Sequence, residues 1–159
     1  MTEFTIPQSL DGLNVGQWET FEPYFAVLQE AGLTAETVQS WLLAWSQLTA
    51  LLSEARSLIM IDETLDTADT DKEQAFLEFV EQVAPPWQRA DQQLKERLLA
   101  LDPATPALQD VAMMLRNMRN SAELFREENV ALDTQLSKLT NEYSKITGGL
   151  KADWDGEEQ

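Results

Sequence analysis

The chain has 159 residues, 43% of them hydrophobic, with 28 acids against 11 bases for a net charge of −17, and it contains neither cysteine nor histidine. That length suits one domain able to bury a core without disulfides or metals. The absent residue types exclude a His-based zinc site, a Ser-His-Asp triad and a Cys-His pair. The acidic balance argues against nucleic acid and anionic membrane surfaces as partners.

Further signals point to a cytoplasmic chain. Met1–Pro7 carries no basic, then apolar, leader pattern. The greasiest stretch, Trp41 to Leu52, is interrupted by Ser46, Gln47 and Thr49 and is too short to span a bilayer. Charge is uneven: residues 1–83 hold 15 acids and 2 bases, residues 84–159 hold 13 and 9. A docking face, if the chain has one, is therefore expected in the second half, where repulsion is weaker.

Residues 1–16 read as an extended arm with a turn at Asp11-Gly12. A first helix is predicted from about Trp18 to Ala31, with Pro23 in its first turn and Gly32 at its C-terminal cap. Trp18, Phe21, Tyr24, Phe25 and Leu28 line one of its faces. Thr34 is the expected cap of a long helix from about Ala35 to Ile61, whose stripe is Val38, Trp41, Leu42, Trp45, Leu48, Leu52, Ala55 and Ile59.

Asp62–Asp71 reads as an acidic connector ending in an N-cap, with Asp71 and Gln74 spaced as a capping box. The next helix carries Phe76, Val80 and Val83 to a break or kink at Pro85-Pro86. It resumes through Trp87, Leu94, Leu98 and Leu101 and stops before Asp102-Pro103. After Pro106 a helix of about ten or more residues carries Val111, Met114, Leu115 and Met118. A final long helix, about Ser121 to Thr147, carries Leu124, Phe125, Leu132, Leu136, Leu139, Tyr143 and Ile146. Leu150–Gln159 reads as an extended acidic tail. The expected domains are thus an arm (1–16), a helical body (17–149) and a tail (150–159), and the fold class is an all-α antiparallel array of about five to six helices.

Each candidate site has a plainer reading beside it. The acids of 62–71 are the one cluster of hard-cation ligands, but no register supplies the glycine an EF-hand loop needs, so they read as turn and cap residues. Trp18, Phe21, Phe25, Trp41 and Trp45 read as helix-helix core before a binding wall. Met113, Met114 and Met118 fit an adaptable peptide-binding surface, with core packing the plainer reading for Met114 and Met118. Glu127-Glu128 and Asp91 with Glu96 are potential carboxylate pairs for acid-base work, but solvated helix surface accounts for them. Trp154 lies outside any stripe and is expected to pack on something beyond this chain. No residue is assigned as catalytic, cofactor-binding or metal-binding.

Several blocks, in order, resemble the N-terminal region of oligoendopeptidase F-like zinc metallopeptidases, relatives of thimet-type oligopeptidases. They are Trp41-Leu-Leu-Ala-Trp-Ser-Gln-Leu48 with Ser53-Glu54, Asp66-Thr-Ala-Asp69, and Pro85-Pro86 with Leu94-Lys-Glu-Arg-Leu-Leu99. After these come Leu124-Phe-Arg-Glu-Glu-Asn129 with Leu132, and Glu142-Tyr-Ser-Lys-Ile146 running through Gly148-Gly149 to Trp154-Asp-Gly156. The resemblance covers about Trp18 to the C-terminus.

In that family a His-Glu-x-x-His helix and a downstream Glu bind zinc, and none of those residues can be carried over to a chain without histidine. The resemblance implies a non-catalytic helical domain that walls a channel for short peptides. It also implies a catalytic domain as the partner, zinc held there rather than here, and a sequence that breaks off at Gly156-Glu-Glu-Gln159 where the family pattern continues. Faces meant for that partner are expected to be bare and to favour a homodimer that tightens with salt. The alternative is a free-standing helical interaction module.

Overall fold

The computed structural model describes residues 5–150 in full and, of the tail, the backbone of 153–154 and 157–158. The fold is all-α. A 3₁₀ turn, Trp18–Thr20, leads into α1, Glu22–Glu30. Pro23 occupies its first turn, where a missing N–H forfeits no helical bond. The C-cap is Ala31, not Gly32, and the glycine with left-handed backbone is Gly12 (φ 75°), at the Asp11-Gly12 turn.

The end of α1 is closed from elsewhere. Arg97 Nη1 donates to Leu28 O at 2.5 Å and to Gln29 O, and Nη2 donates to Ala31 O at 2.6 Å. A last turn leaves such carbonyls unpaired, and a cation there also suits the helix dipole.

The long helix α2 spans Val38–Leu65, about 42 Å at 1.5 Å per residue. It starts later than expected because Thr34–Thr37 form a turn. Thr34 N–H donates to Thr37 Oγ1 at 2.9 Å, and that hydroxyl donates to Gly32 O at 2.7 Å. It also runs past Ile61 to Leu65, so the first four residues of the expected acidic connector are helix. In the remaining turn the cap is Asp69, whose Oδ1 accepts from Asp71 N at 2.9 Å and Lys72 N at 3.3 Å. The Asp71/Gln74 box does not form. Gln74 Nε2 donates to Glu78 Oε1 instead, at 2.9 Å.

Helix α3, Thr70–Glu78, and α4, Ala84–Leu99, are joined without a gap by π-helical Phe79–Val83. This is the form the expected Pro85-Pro86 break takes. The widened turn relieves the clash between a proline ring and the carbonyl four residues back. It also advances the register, so Phe79, Val80 and Val83 are buried while Phe76 is half-buried.

The chain continues through α5, Pro106–Gln109, α6, Ala112–Leu124, and α7, Glu127–Gly148. The expected single segment from Ser121 onward is cut at Phe125–Arg126. Arg126 is extended (φ −138°, ψ 131°), and its Nη1 donates to Glu123 O and Phe125 O at 2.8 and 2.6 Å. With α3 and α4 continuous, the described residues form six helical rods. In the tail the backbone of β1, Asp153–Trp154, pairs antiparallel with β2, Glu157–Glu158. The Trp154 side chain lies outside the described residues.

The core joins Phe21, Phe25 and Leu28 of α1 to Val38, Trp41, Trp45, Leu48 and Leu52 of α2. Phe79, Val83, Leu94, Leu98, Leu108 and Leu115 close it. The arm takes part too: Ile6 is buried, and Gln47 Nε2 donates to Pro7 O at 2.8 Å. Helix α7 departs most from expectation. Leu132, Leu136, Leu139, Tyr143 and Ile146 are exposed, and the residues it buries are Val130 and Asn141. No helix among the described residues is long and apolar enough to cross a membrane.

Candidate functional site

The stripe of α2 has two sides. Trp41 and Trp45 point into the core, with rings 5.3 Å apart and both nearly fully buried. Each indole has a use for its N–H: Trp41 Nε1 donates to Leu28 O at 2.8 Å and Trp45 Nε1 to Asp91 Oδ1 at 3.0 Å. Buried Trp needs such partners. Phe21 and Phe25 are likewise core, and Trp18 packs on Phe25 at 5.2 Å. The aromatic cluster is therefore the body's centre, with one edge, at Trp45, reaching a groove.

That groove, about 600 Å³, opens between α2, α4 and the α5–α6 corner. Helix α2 supplies Leu42, Leu43, Trp45, Ser46 and Thr49. Helix α4 supplies Asp91 and Lys95, and the corner supplies Val111, Met114 and Met118. Its wall is mainly apolar. Its charged residues are Asp110 and an ion pair, Lys95 Nζ to Asp91 Oδ2 at 2.7 Å, with about a fifth of each side chain of the pair exposed. The pair is spaced i, i+4 with the acid first, the favourable order on a helix.

Lys95 also borders two further hollows, of about 530 and 520 Å³, on the α7 and α6 sides. Of the thirteen residues of α6, Leu115 is the buried one. That helix therefore lies over the body with hollows along it.

The sequence-derived candidates sort out as follows. Met114 and Met118 are half-buried and line the groove, so packing and binding surface coincide there. Met113 is 71% exposed and lines the α6 hollow instead. Asp91 is committed to Trp45 and Lys95, whereas Glu96 accepts from Gln92 Nε2 at 2.8 Å, so the two carboxylates do not act as a pair. Glu127 pairs with Arg89 at 2.5 Å. With Glu128 it occupies the first turn of α7, where acids suit the dipole. Of the acids of 62–71, expected as a solvated turn and cap, Glu63 is instead buried in α2, its Oε1 without a hydrogen-bond partner among the described residues, and the others serve helix, turn and cap. Among the described residues, no group of three or more acidic side chains is arranged to hold a metal ion.

Sequence reading missed Leu43 and Lys95 as groove residues. The i, i+4 spacing of Asp91 and Lys95 was the available signal. Chemically the arrangement can bind and orient. It offers apolar surface, polarizable thioethers and an ion pair at one wall. Of its acids, Asp91 is already occupied by two donors. Compared with known proteins, the chain matches no protein-family model, no curated protein and no solved structure.

Proposed function

We propose that this chain is a non-catalytic helical domain whose groove borders the path of short peptides in a zinc-dependent oligoendopeptidase. The groove carries the reading. Its thioethers adapt to varied apolar side chains, and its ion pair offers one polar fixing point of the kind that orients a ligand in an apolar site. The ordered blocks from Trp41 to Gly156 supply the family part. In this reading the zinc belongs to the catalytic domain, and the setting is the cytoplasm.

The test is fluorescence anisotropy with a short labelled peptide rich in Leu and Phe. The chain should bind it and return it intact. Leu43→Glu, at an exposed groove position, should weaken binding by about tenfold, or about 1.4 kcal/mol. Chelator-sensitive hydrolysis, or one tight zinc per chain in equilibrium dialysis, contradicts the reading. A His-Glu-x-x-His helix further along the same reading frame is the matching genetic result.

A second reading, a free-standing helical interaction module, is favoured by the outward apolar face of α7. A chain that does not bind the peptide, from a reading frame without that zinc motif, would make it the better account.

A further inference from the structure

Helix α7 has the pattern of a coiled-coil seam and presents it to solvent. Leu132, Leu136, Leu139, Tyr143 and Ile146 recur in steps of four and three, and Leu150 continues the step just past the helix. Their exposures run from 57% to 72%. Alternating steps of four and three keep one row of side chains aimed at a partner helix.

The body holds α7 by its opposite side. Val130 and Asn141 are buried there, and Thr134 Oγ1 donates to Val130 O at 3.2 Å and Val80 O at 3.4 Å. Lys138 pairs with Glu81, and Lys145 with Glu73 at 2.6 Å. In the same heptad, Thr134 and Asn141 take the position farthest from the seam. The seam is therefore bare along its whole length.

We propose that this seam joins two copies of the chain, side by side and antiparallel. A two-fold axis at the level of residue 141 sets Leu136 on the second copy's Ile146, Leu139 on its Tyr143 and Leu132 on its Leu150. Every seam residue then meets another, which is what self-complementarity across a two-fold requires. At these exposures the six residues leave on the order of 750 Å² open per chain, comparable to the roughly 800 Å² per partner of a standard interface.

The flanks favour this pairing over the parallel one. Between 133 and 149 the flanking positions hold two charges, Asp133 and Glu142, and the antiparallel pairing opposes one like pair, Glu142 on Glu142. A parallel pairing would oppose Glu128 and Asp133 twice and set Tyr143 on Tyr143. The inference goes beyond the peptide reading, because groove and seam are separate faces and either can fail alone.

The test is sedimentation at about 0.1 M and about 1 M salt, between which the screening length falls from about 10 to about 3 Å. A species of twice the chain mass should dominate at the higher salt, where the −17 charge of each copy repels least. Leu139→Glu, and independently Tyr143→Glu, should restore the monomer at the higher salt, and should leave helix content and Tm unchanged at the lower salt, where the copies stay apart and both residues are exposed. The chain has no cysteine, so the Leu136→Cys/Ile146→Cys variant should oxidise to a covalent dimer while Leu136→Cys alone forms no cross-link. A monomer at both salt levels overturns the proposal. So does a dimer indifferent to both glutamates, or ready cross-linking by Leu136→Cys alone.

Discussion

Trp45 ties the core to the groove. It is 4% exposed, lies tilted against Trp41, and donates to Asp91. Trp45→Ala should cost about 3–5 kcal/mol, the usual range for emptying a buried Trp site, and thermal unfolding measures it. An unchanged Tm would place the α2 stripe outside the core. Asn141 presents the reverse case. It is 5% exposed, and neither amide atom has a hydrogen-bond partner among the described residues. An unmet buried polar group costs about 1–3 kcal/mol, so Asn141→Leu should raise the Tm. A lower Tm would mean that the amide is satisfied in solution. The Trp45 stripe was legible from its three-and-four spacing. Asn141 was not, because an Asn between Leu139 and Tyr143 gives no sign of which helix face the body takes.

Elements were legible where local chemistry decides them. The α2 stripe, Pro23 in a first turn and the turn at Gly12 all follow from short-range rules. The differences arise where distant residues decide. The end of α1 is closed by Arg97, more than sixty residues away in sequence, so Gly32 is not needed as a cap. Two successive prolines forecast a break but not that a π turn would absorb it, nor that Phe79 would replace Phe76 in the core. The gap at Phe125–Arg126 has no Gly or Pro to announce it. For α7 the 3.5-residue period was visible, but period identifies an apolar face and not the surface that covers it.

Helix α7 is attached by Val130, a few polar contacts and ion pairs. The ion pairs at Lys138 and Lys145 leave their side chains roughly a quarter to two-fifths exposed, and surface pairs of this kind contribute about 0–1 kcal/mol each. Its amides should therefore exchange with solvent faster than those of α2 in dilute, low-salt solution, where copies stay apart. Equal protection in hydrogen-exchange mass spectrometry would show α7 to be as firmly held as the core.

At the scale of the molecule, the charge asymmetry seen in the sequence has a structural use. Lys138 and Lys145, from the more basic half, reach back to Glu81 and Glu73 of the acidic half, and so fasten the last helix to α3 and the π segment. Among the open features of the described residues are the groove between α2, α4 and α6 and the stripe on α7. The groove was partly legible through Met114 and Met118; its α2 and α4 walls depend on how three helices meet, which no local pattern encodes. That groove, as a seat for short peptides that the chain holds without cutting, is the central claim. Methyl NMR of the five methionines tests it most directly, using the Leu- and Phe-rich peptide as titrant. Met114 and Met118 should shift in step with binding, Met60 should stay in place, and the peptide should be recovered whole. A peptide that binds without moving Met114 and Met118, or that is cleaved, would contradict the account.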